Sequence, residues 1–120
     1  METNKEIIKI FEETIKLLQI KGGKALDFKI RAYRKAIDIL NNLKIEISEI
    51  YKKDGLNGIK ELGIGEKNAK KIEEYVKIGK IKDFEELKEE TAIRQIIAYF
   101  FESKGLDLQE LKENAKKRKI

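Results

Sequence analysis

The sequence predicts an all-α protein, built as a small helical bundle. Apolar residues recur at steps of three and four along most of the 120-residue chain, which is the spacing of one helix face. No segment alternates apolar and polar residues as a half-buried strand does, and the chain has no proline to interrupt its helices. The length fits one domain with a single hydrophobic core.

The first helix is predicted from about Lys5 to Ile20, with Thr3 or Asn4 as its N-cap and Gly22-Gly23 as its end. Its apolar stripe comprises Ile7, Phe11, Ile15 and Leu18. A second helix is predicted to begin near Asp27. The residues expected on its core-facing side are Phe28, Ala32, Ala36, Ile39 and Leu43.

The rest of the chain is also predicted to be helical, with glycines at the breaks. The further helices are predicted over Ile45–Lys52, Asn57–Leu62, Glu66–Ile78, Asp83–Leu87, Thr91–Ser103 and Asp107–Lys119. We expect residues 1–90 to form one domain and residues 91–120 a helical extension that ends in a basic tail, Lys116–Lys119. That tail is either a frayed, solvated end or a weak phosphate-contacting arm.

Composition excludes several classes of function. The chain has 27 basic and 22 acidic residues, a net charge of +5, which suits a polyanionic partner but also a solvated lysine-rich surface. It has no cysteine and no histidine, which excludes disulfides, Cys/His zinc sites and nucleophile pairs that use either residue. The longest apolar run, Ile96–Phe101, is far shorter than the roughly 20 residues that span a bilayer. Without a signal-peptide pattern, a cytoplasmic location is expected.

The most informative stretch is Ile59–Ile72, which has the pattern of a helix-hairpin-helix motif. Gly63 and Gly65 allow a tight turn, and Ile64 between them is expected to point inward. The turn leaves main-chain N–H groups at the start of the next helix, where they can bind a phosphate without reading the base. The alternative is a purely structural corner between two helices.

Three lysines follow the turn and favour the phosphate site. Lys67, Lys70 and Lys71 would flank a bound anion. Lys70 could instead pair with Glu66 four residues earlier and only stabilise the helix. Lys67 and Lys71 do not fit that alternative, because like charges at this spacing repel unless an anion lies between them.

A second motif, Phe28–Ala36, places Lys29 and Tyr33 on one helical face, which we expect to be exposed. A tyrosine beside a lysine can donate to a phosphate or stack on a sugar or base. A tyrosine at the edge of the core, with its hydroxyl in water, is the other interpretation.

Together, Phe28–Ala36, the hairpin Leu62–Ile72 and Gly79-Lys80 resemble the N-terminal domain of family X DNA polymerases, the lyase domain of the polymerase-beta type. The resemblance covers about residues 4–89 and implies a helix-hairpin-helix fold that binds DNA. It also implies that Lys71 is the Schiff-base nucleophile of a 5′-deoxyribose-phosphate lyase. The residues implied to contact DNA phosphates are Lys29, Tyr33, Gly63, Gly65, Glu66, Lys67, Lys70 and Lys80. No cofactor is implied beyond a monovalent cation, K⁺ or Na⁺, on the main-chain carbonyls of Ile59, Glu61 and Ile64.

The chain departs from the family at several positions. A histidine that stacks on a base in some relatives is Phe28, and the usual proline before the hairpin glycine is Leu62. A glutamate found before the nucleophile in some relatives is Lys70 here, which leaves Glu73 or Glu74 as the candidate acid/base partner. No Asp-x-Asp pair of the kind that the polymerase palm uses occurs in the 120 residues, so these residues are not expected to act as a polymerase by themselves.

Three functions stay open on this basis. The first is a non-catalytic DNA-binding module at gaps, nicks or single-strand/duplex junctions, with a repair or polymerase protein as a possible partner. The second is the lyase, whose Lys71 amine must be neutral to attack; the charges of Lys67 and Lys70 favour that neutral form. The third is a helical protein-interaction domain that binds no nucleic acid.

Overall fold

Five helices make up the secondary structure of the computed structural model, which describes residues 2–23 and 25–104. This confirms the all-α prediction, since the described residues contain no strand. In chain order the helices are α1 (Glu2–Lys21), α2 (Ala25–Asn42), α3 (Ile47–Glu61), α4 (Glu66–Ile78) and α5 (Lys82–Lys104). None of these helices is long and apolar enough to cross a membrane.

Glycines end two of the helices, as the sequence predicts. After α1, Gly22 has a φ of 74° and its N–H donates to the Leu18 carbonyl at 2.9 Å. After α4, Gly79 has a φ of 77° and its N–H donates to the Tyr75 carbonyl at 2.8 Å. Both residues are in the left-handed conformation that favours glycine, so each helix stops where the chain can turn.

Asn4 caps a helix other than the predicted one. It lies inside α1 rather than at its start, and its buried side chain reaches the beginning of α3. Its Oδ1 accepts the Ile47 N–H at 2.7 Å, and its Nδ2 donates to the Ile45 carbonyl at 2.9 Å. The first N–H groups of a helix have no partner within it, so a side chain from α1 completes the start of α3.

A kink divides α3 into two arms. Gly55 has a φ of 68° and a ψ of −156°, far from helical values. The two short helices predicted on either side of Asp54-Gly55 therefore correspond to the two arms of α3. The second arm ends at Glu61 and leads directly into the hairpin turn.

The buried face of α2 differs from the predicted one. Phe28 is 80% exposed and Ala32 is also exposed. The buried stripe instead consists of Ile30, Tyr33, Ala36 and Leu40. These residues recur at steps of three and four, whereas Phe28 lies about 200° around the helix from Ile30, at 3.6 residues per turn. The stripe packs into a core with α1, α3 and α4 that includes Phe11, Leu18, Ile47, Ile59, Ile64 and Ile72.

At its C-terminal end, the described chain has one helix where two were predicted. α5 runs through both Asp83–Leu87 and Thr91–Ser103 without a break. The chain forms two compact units, the first ending at Leu87 and the second beginning at Lys88. The helix predicted over Asp107–Lys119 and the basic tail lie outside the described residues.

The Asn4 cap can be tested by the substitution Asn4→Ala. It removes two hydrogen bonds and leaves the buried Ile47 N–H without its acceptor, so we expect the free energy of unfolding to fall by about 2 kcal/mol. Urea denaturation followed by circular dichroism measures this. Asn42→Ala is the control, because the Asn42 side chain is exposed and bonds only to the Asp38 carbonyl of its own helix. Equal, small losses in both variants would contradict the cap.

Candidate functional site

The hairpin turn packs on the core through Ile64, and the partly buried Leu62 packs against the same core. Ile64 is 3% exposed, which confirms that it points inward. Gly63 before it has a φ of 100°, a conformation that other residues rarely adopt. Gly65 after it has a φ of −60°, and a Cβ built on it meets no atom within 4 Å. The fold therefore requires glycine at Gly63 but not at Gly65, which borders open space.

The start of α4 presents main-chain donors at this turn. Gly65 is the N-cap, and its carbonyl accepts the first helical hydrogen bond, from the Ala69 N–H at 2.8 Å. The N–H groups of Gly65–Asn68 therefore have no acceptor within α4, and the N-cap makes no side-chain hydrogen bond. Gly65 and Glu66 are exposed. An anion can thus approach the positive end of the α4 dipole.

A cleft of about 260 Å³ lies next to this helix start. Its lining residues are Lys67, Lys70, Lys71, Glu74 and Asp83. Lys67 and Lys70 are exposed, and neither has a carboxylate within 4.0 Å among residues 2–23 and 25–104. Glu66 pairs with Lys60 at 3.8 Å, so the alternative Glu66–Lys70 pair is not formed.

Lys71 is the most enclosed lysine of the cleft. Its side chain is 18% exposed, and its Nζ lies 3.8 Å from Asp83 Oδ2. The same Nζ lies 5.3 Å from the centre of the Tyr33 ring, within the range of a cation–π interaction. A carboxylate and an aromatic face therefore both lie close to the Lys71 amine.

Tyr33 is buried, so the prediction that it lies on an exposed face is wrong. It is 7% exposed, and its ring meets Phe11 edge-on with 5.1 Å between ring centres. Burial, and after it the negative charge of Asp83, raises the pKa of Tyr33 to about 12. The hydroxyl therefore keeps its proton at neutral pH and can act as a hydrogen-bond donor.

Two of the predicted site lysines lie outside the cleft. Lys29 on α2 and Lys80 before α5 are exposed, but neither lines it. The structure thus brings Lys67, Lys70 and Lys71 together and places Tyr33 against Lys71.

The carbonyl groups expected to hold a monovalent cation lie where α3 ends. Ile59 and Glu61 are in its last turn, and Ile64 is in the hairpin turn. The Ile59 carbonyl accepts the Leu62 N–H at 3.2 Å, whereas the carbonyls of Glu61 and Ile64 accept no hydrogen bond from any residue in 2–23 or 25–104. A helix end leaves carbonyl oxygens without N–H partners, so this donor set suits such an ion. Within the described ranges no cluster of carboxylates could hold a metal ion.

Sequence reasoning missed Asp83 as a site residue. It was expected only at the start of the short helix Asp83–Leu87, but it lies in the first turn of the longer α5 and pairs with Lys71. The like charges of Lys67 and Lys71 were taken to indicate a bound anion, and nothing along the chain distinguishes Asp83 from the other acidic residues, 22 in all. Glu74, a candidate acid/base partner, also lines the cleft, and its Oε2 accepts the Lys82 N–H at 2.9 Å.

The raised pKa of Tyr33 gives a test of this environment. The folded state holds the hydroxyl proton more tightly than the unfolded state, so the stabilisation is complete below pH 10 and is lost as the pH rises through about 12. We expect Asp83→Asn to lower the pKa of Tyr33 while burial keeps it above 10. Tyrosine Cζ chemical shifts followed by NMR resolve each ring. The Tyr75 ring is the internal control, because its hydroxyl donates to Glu6 and should not respond. An unchanged pKa of Tyr33 in this variant would show that the Asp83 carboxylate lies too far from the Tyr33 hydroxyl to affect it.

Comparisons with known proteins agree with this geometry. Residues 2–81, which are 80 of the 120 residues, match the family model of a helix-hairpin-helix domain. Neither the curated proteins nor the solved structures gave a significant match. Helix-hairpin-helix domains typically bind nucleic acids, whereas membership of the family X polymerases stays a hypothesis. The chain belongs to the helix-hairpin-helix domain family.

Proposed function

We propose that this protein binds DNA without sequence preference and acts at gaps, nicks or 5′-phosphate ends during DNA repair. The observation that carries the proposal is the open N-terminus of α4. Its main-chain N–H groups at Gly65 lie near Lys67 and Lys70, two lysines that form no ion pair with any residue that the structure describes. Such groups contact phosphates, which are the same at every position of the duplex. Binding through them is therefore independent of base identity.

An exposed ring supports the preference for gaps and single-strand/duplex junctions. Phe28 is 80% exposed and sits on the outer face of α2, with Arg31 and Lys35 on the same face one and two turns later. An unpaired base can stack on an aromatic ring while basic side chains hold the backbone. In intact duplex the bases are already stacked, so this contact favours DNA with an interrupted strand.

Salt dependence tests the phosphate contacts. We expect log affinity to fall linearly with log salt, with a slope of about 0.9 for each phosphate neutralised. Lys67→Ala should weaken binding equally on all sequences and reduce the slope by about one unit. Gly65→Ala should also weaken binding, because a methyl group there obstructs the approach of a phosphate. Fluorescence anisotropy with gapped duplexes of different sequence measures both effects.

The control for these variants is Lys16→Ala, an exposed lysine on α1 outside the hairpin. It removes one positive charge from the protein without removing a proposed contact. Salt-insensitive binding, or equal losses for Lys16→Ala and Lys67→Ala, would favour a protein-interaction domain instead.

A second candidate function is the 5′-deoxyribose-phosphate lyase. The observation in its favour is that the Lys71 amine lies in the cleft beside Lys67, largely shielded from solvent. As a neutral amine it would add to the C1′ aldehyde of the open sugar and lose water to form an imine. The imine makes the C2′ proton acidic; once a base removes it, the C3′–O bond breaks and the DNA strand leaves with its 5′-phosphate. The cation at the carbonyls of Ile59, Glu61 and Ile64 is part of the same proposal, as a structural ion of the hairpin.

Borohydride trapping tests the lyase, because reduction of the imine leaves a permanent bond between protein and DNA. We expect wild type to form the adduct with 5′-deoxyribose-phosphate DNA and Lys71→Ala to lose it. Lys77→Ala, in the last turn of the same helix, should form it normally. If wild type forms no adduct, the protein is a DNA-binding module without lyase activity. Full trapping by Lys71→Ala would assign the chemistry to another lysine.

A further inference from the structure

We propose that Asp83 is the general base of the lyase reaction, a catalytic residue whose carboxylate removes the C2′ proton from the imine formed on Lys71. The inference rests on the second candidate function, the 5′-deoxyribose-phosphate lyase. It names the base that this reaction requires after the imine has formed.

The carboxylate of Asp83 lies close to the reacting atoms. Its Oδ2 is 3.8 Å from the Lys71 Nζ, the atom that bonds to C1′ in the imine. C2′ is the next carbon of the sugar, so only C1′ separates it from this nitrogen. A general base must come within hydrogen-bond reach of the proton that it removes, and such contacts tighten when the substrate is bound. The Asp83 carboxylate can therefore reach the C2′ proton of a sugar bound to Lys71.

The cleft leaves room for the sugar on the side where Asp83 lies. Lys71 and Asp83 both line this space of about 260 Å³. The Lys71 side chain is only 18% exposed, whereas the Asp83 side chain is 70% exposed. A sugar attached to the amine must extend into the cleft, because the rest of the lysine side chain is shielded from solvent. The Asp83 carboxylate borders that open space.

The two glutamates considered as acid/base partners have other contacts. Glu74 lines the cleft, but its Oε2 accepts the main-chain N–H of Lys82 at 2.9 Å. Glu73 forms an ion pair within its own helix and does not line the cleft. Among the described residues, Asp83 is the acidic residue that pairs with Lys71.

The remaining polar side chains of the site do not accept a proton. Burial, and after it the negative charge of Asp83, raises the pKa of Tyr33 to about 12, so its hydroxyl keeps its proton at neutral pH. Lys67 and Lys70 carry ammonium groups, which are donors without an acceptor. The role of base therefore falls to Asp83.

The step follows the electron flow of a β-elimination. Asp83 Oδ2 forms a bond to the C2′ hydrogen, and the C–H electron pair forms a C1′=C2′ double bond as the protonated imine nitrogen takes up the C=N pair. The nitrogen pair then restores the C=N bond and the C1′=C2′ pair moves to C2′=C3′. The C3′–O bond breaks with its electrons on the departing phosphate. The proton remains on Asp83, which passes it to water.

The experiment separates imine formation from strand release. Wild type and Asp83→Asn are mixed in excess with a gapped duplex that carries a 5′-deoxyribose phosphate. Borohydride trapping measures the imine, and gel electrophoresis measures the rate at which the DNA strand is released. We expect Asp83→Asn to form the trapped adduct as wild type does, because imine formation uses the Lys71 amine. Strand release should be slower by about 100-fold, the contribution of a positioned base.

Two further variants serve as the rescue and the control. Asp83→Glu keeps the carboxylate and should restore strand release in part. Glu86→Gln removes one negative charge from the same helix; Glu86 pairs with Lys82 at 4.0 Å and does not line the cleft. This variant should match wild type in both trapping and release.

Four results would overturn the role of Asp83 while leaving the lyase in place. They are release by Asp83→Asn at the wild-type rate, equal losses of trapping and release in that variant, release by Asp83→Glu as slow as by Asp83→Asn, and slow release by Glu74→Gln instead. The second of these would assign Asp83 to the positioning of Lys71. If wild type forms no adduct, both the lyase and the role of Asp83 are overturned, whereas the proposed DNA binding is measured separately by anisotropy.

Discussion

The ring of Tyr33 has Phe11 against it on the core side and the Lys71 amine near its face. One side chain thus belongs to both the hydrophobic core and the candidate site. The ring is buried against Phe11 of α1, and the Lys71 side chain whose amine lies near it is only 18% exposed. A shift of α1 relative to α2 would therefore move the amine as well, and the geometry of the site depends on the packing of the core.

The hairpin separates the residues that fix its position from the groups that can bind a ligand. Ile64 is buried and Gly63 has the positive φ that the turn requires, so the start of α4 is held in place by apolar packing and backbone conformation. The groups that face outward there are main-chain N–H groups and flexible lysines. Main-chain donors are the same for any sequence, and this explains why such a site recognises a backbone and not a base.

Features of the fold that depend on neighbouring residues could be predicted from the sequence. Contacts between residues of different helices could not. The bounds of α4 and the break at Gly55 follow from glycines that act within a few residues. Two stripes with three- and four-residue spacing meet at Ala36 of α2, one through Phe28 and one through Tyr33. The face was predicted wrongly because the apolar character of Phe28 was taken as a sign of burial. The pairing of Asp83 with Lys71 joins two helices across a turn, and spacing along the chain does not reveal it.

The contact of Asn4 with Ile47 spans 43 residues and has a consequence for how the motif could be moved between proteins. A peptide cut to the hairpin, residues 57–79, would lack the cap on α3 and the rings of Phe11 and Tyr33 that support Lys71. The hairpin alone is therefore not expected to keep its structure when it is inserted into another protein. A graft that keeps both its shape and its cleft must start within α1 and extend past Asp83.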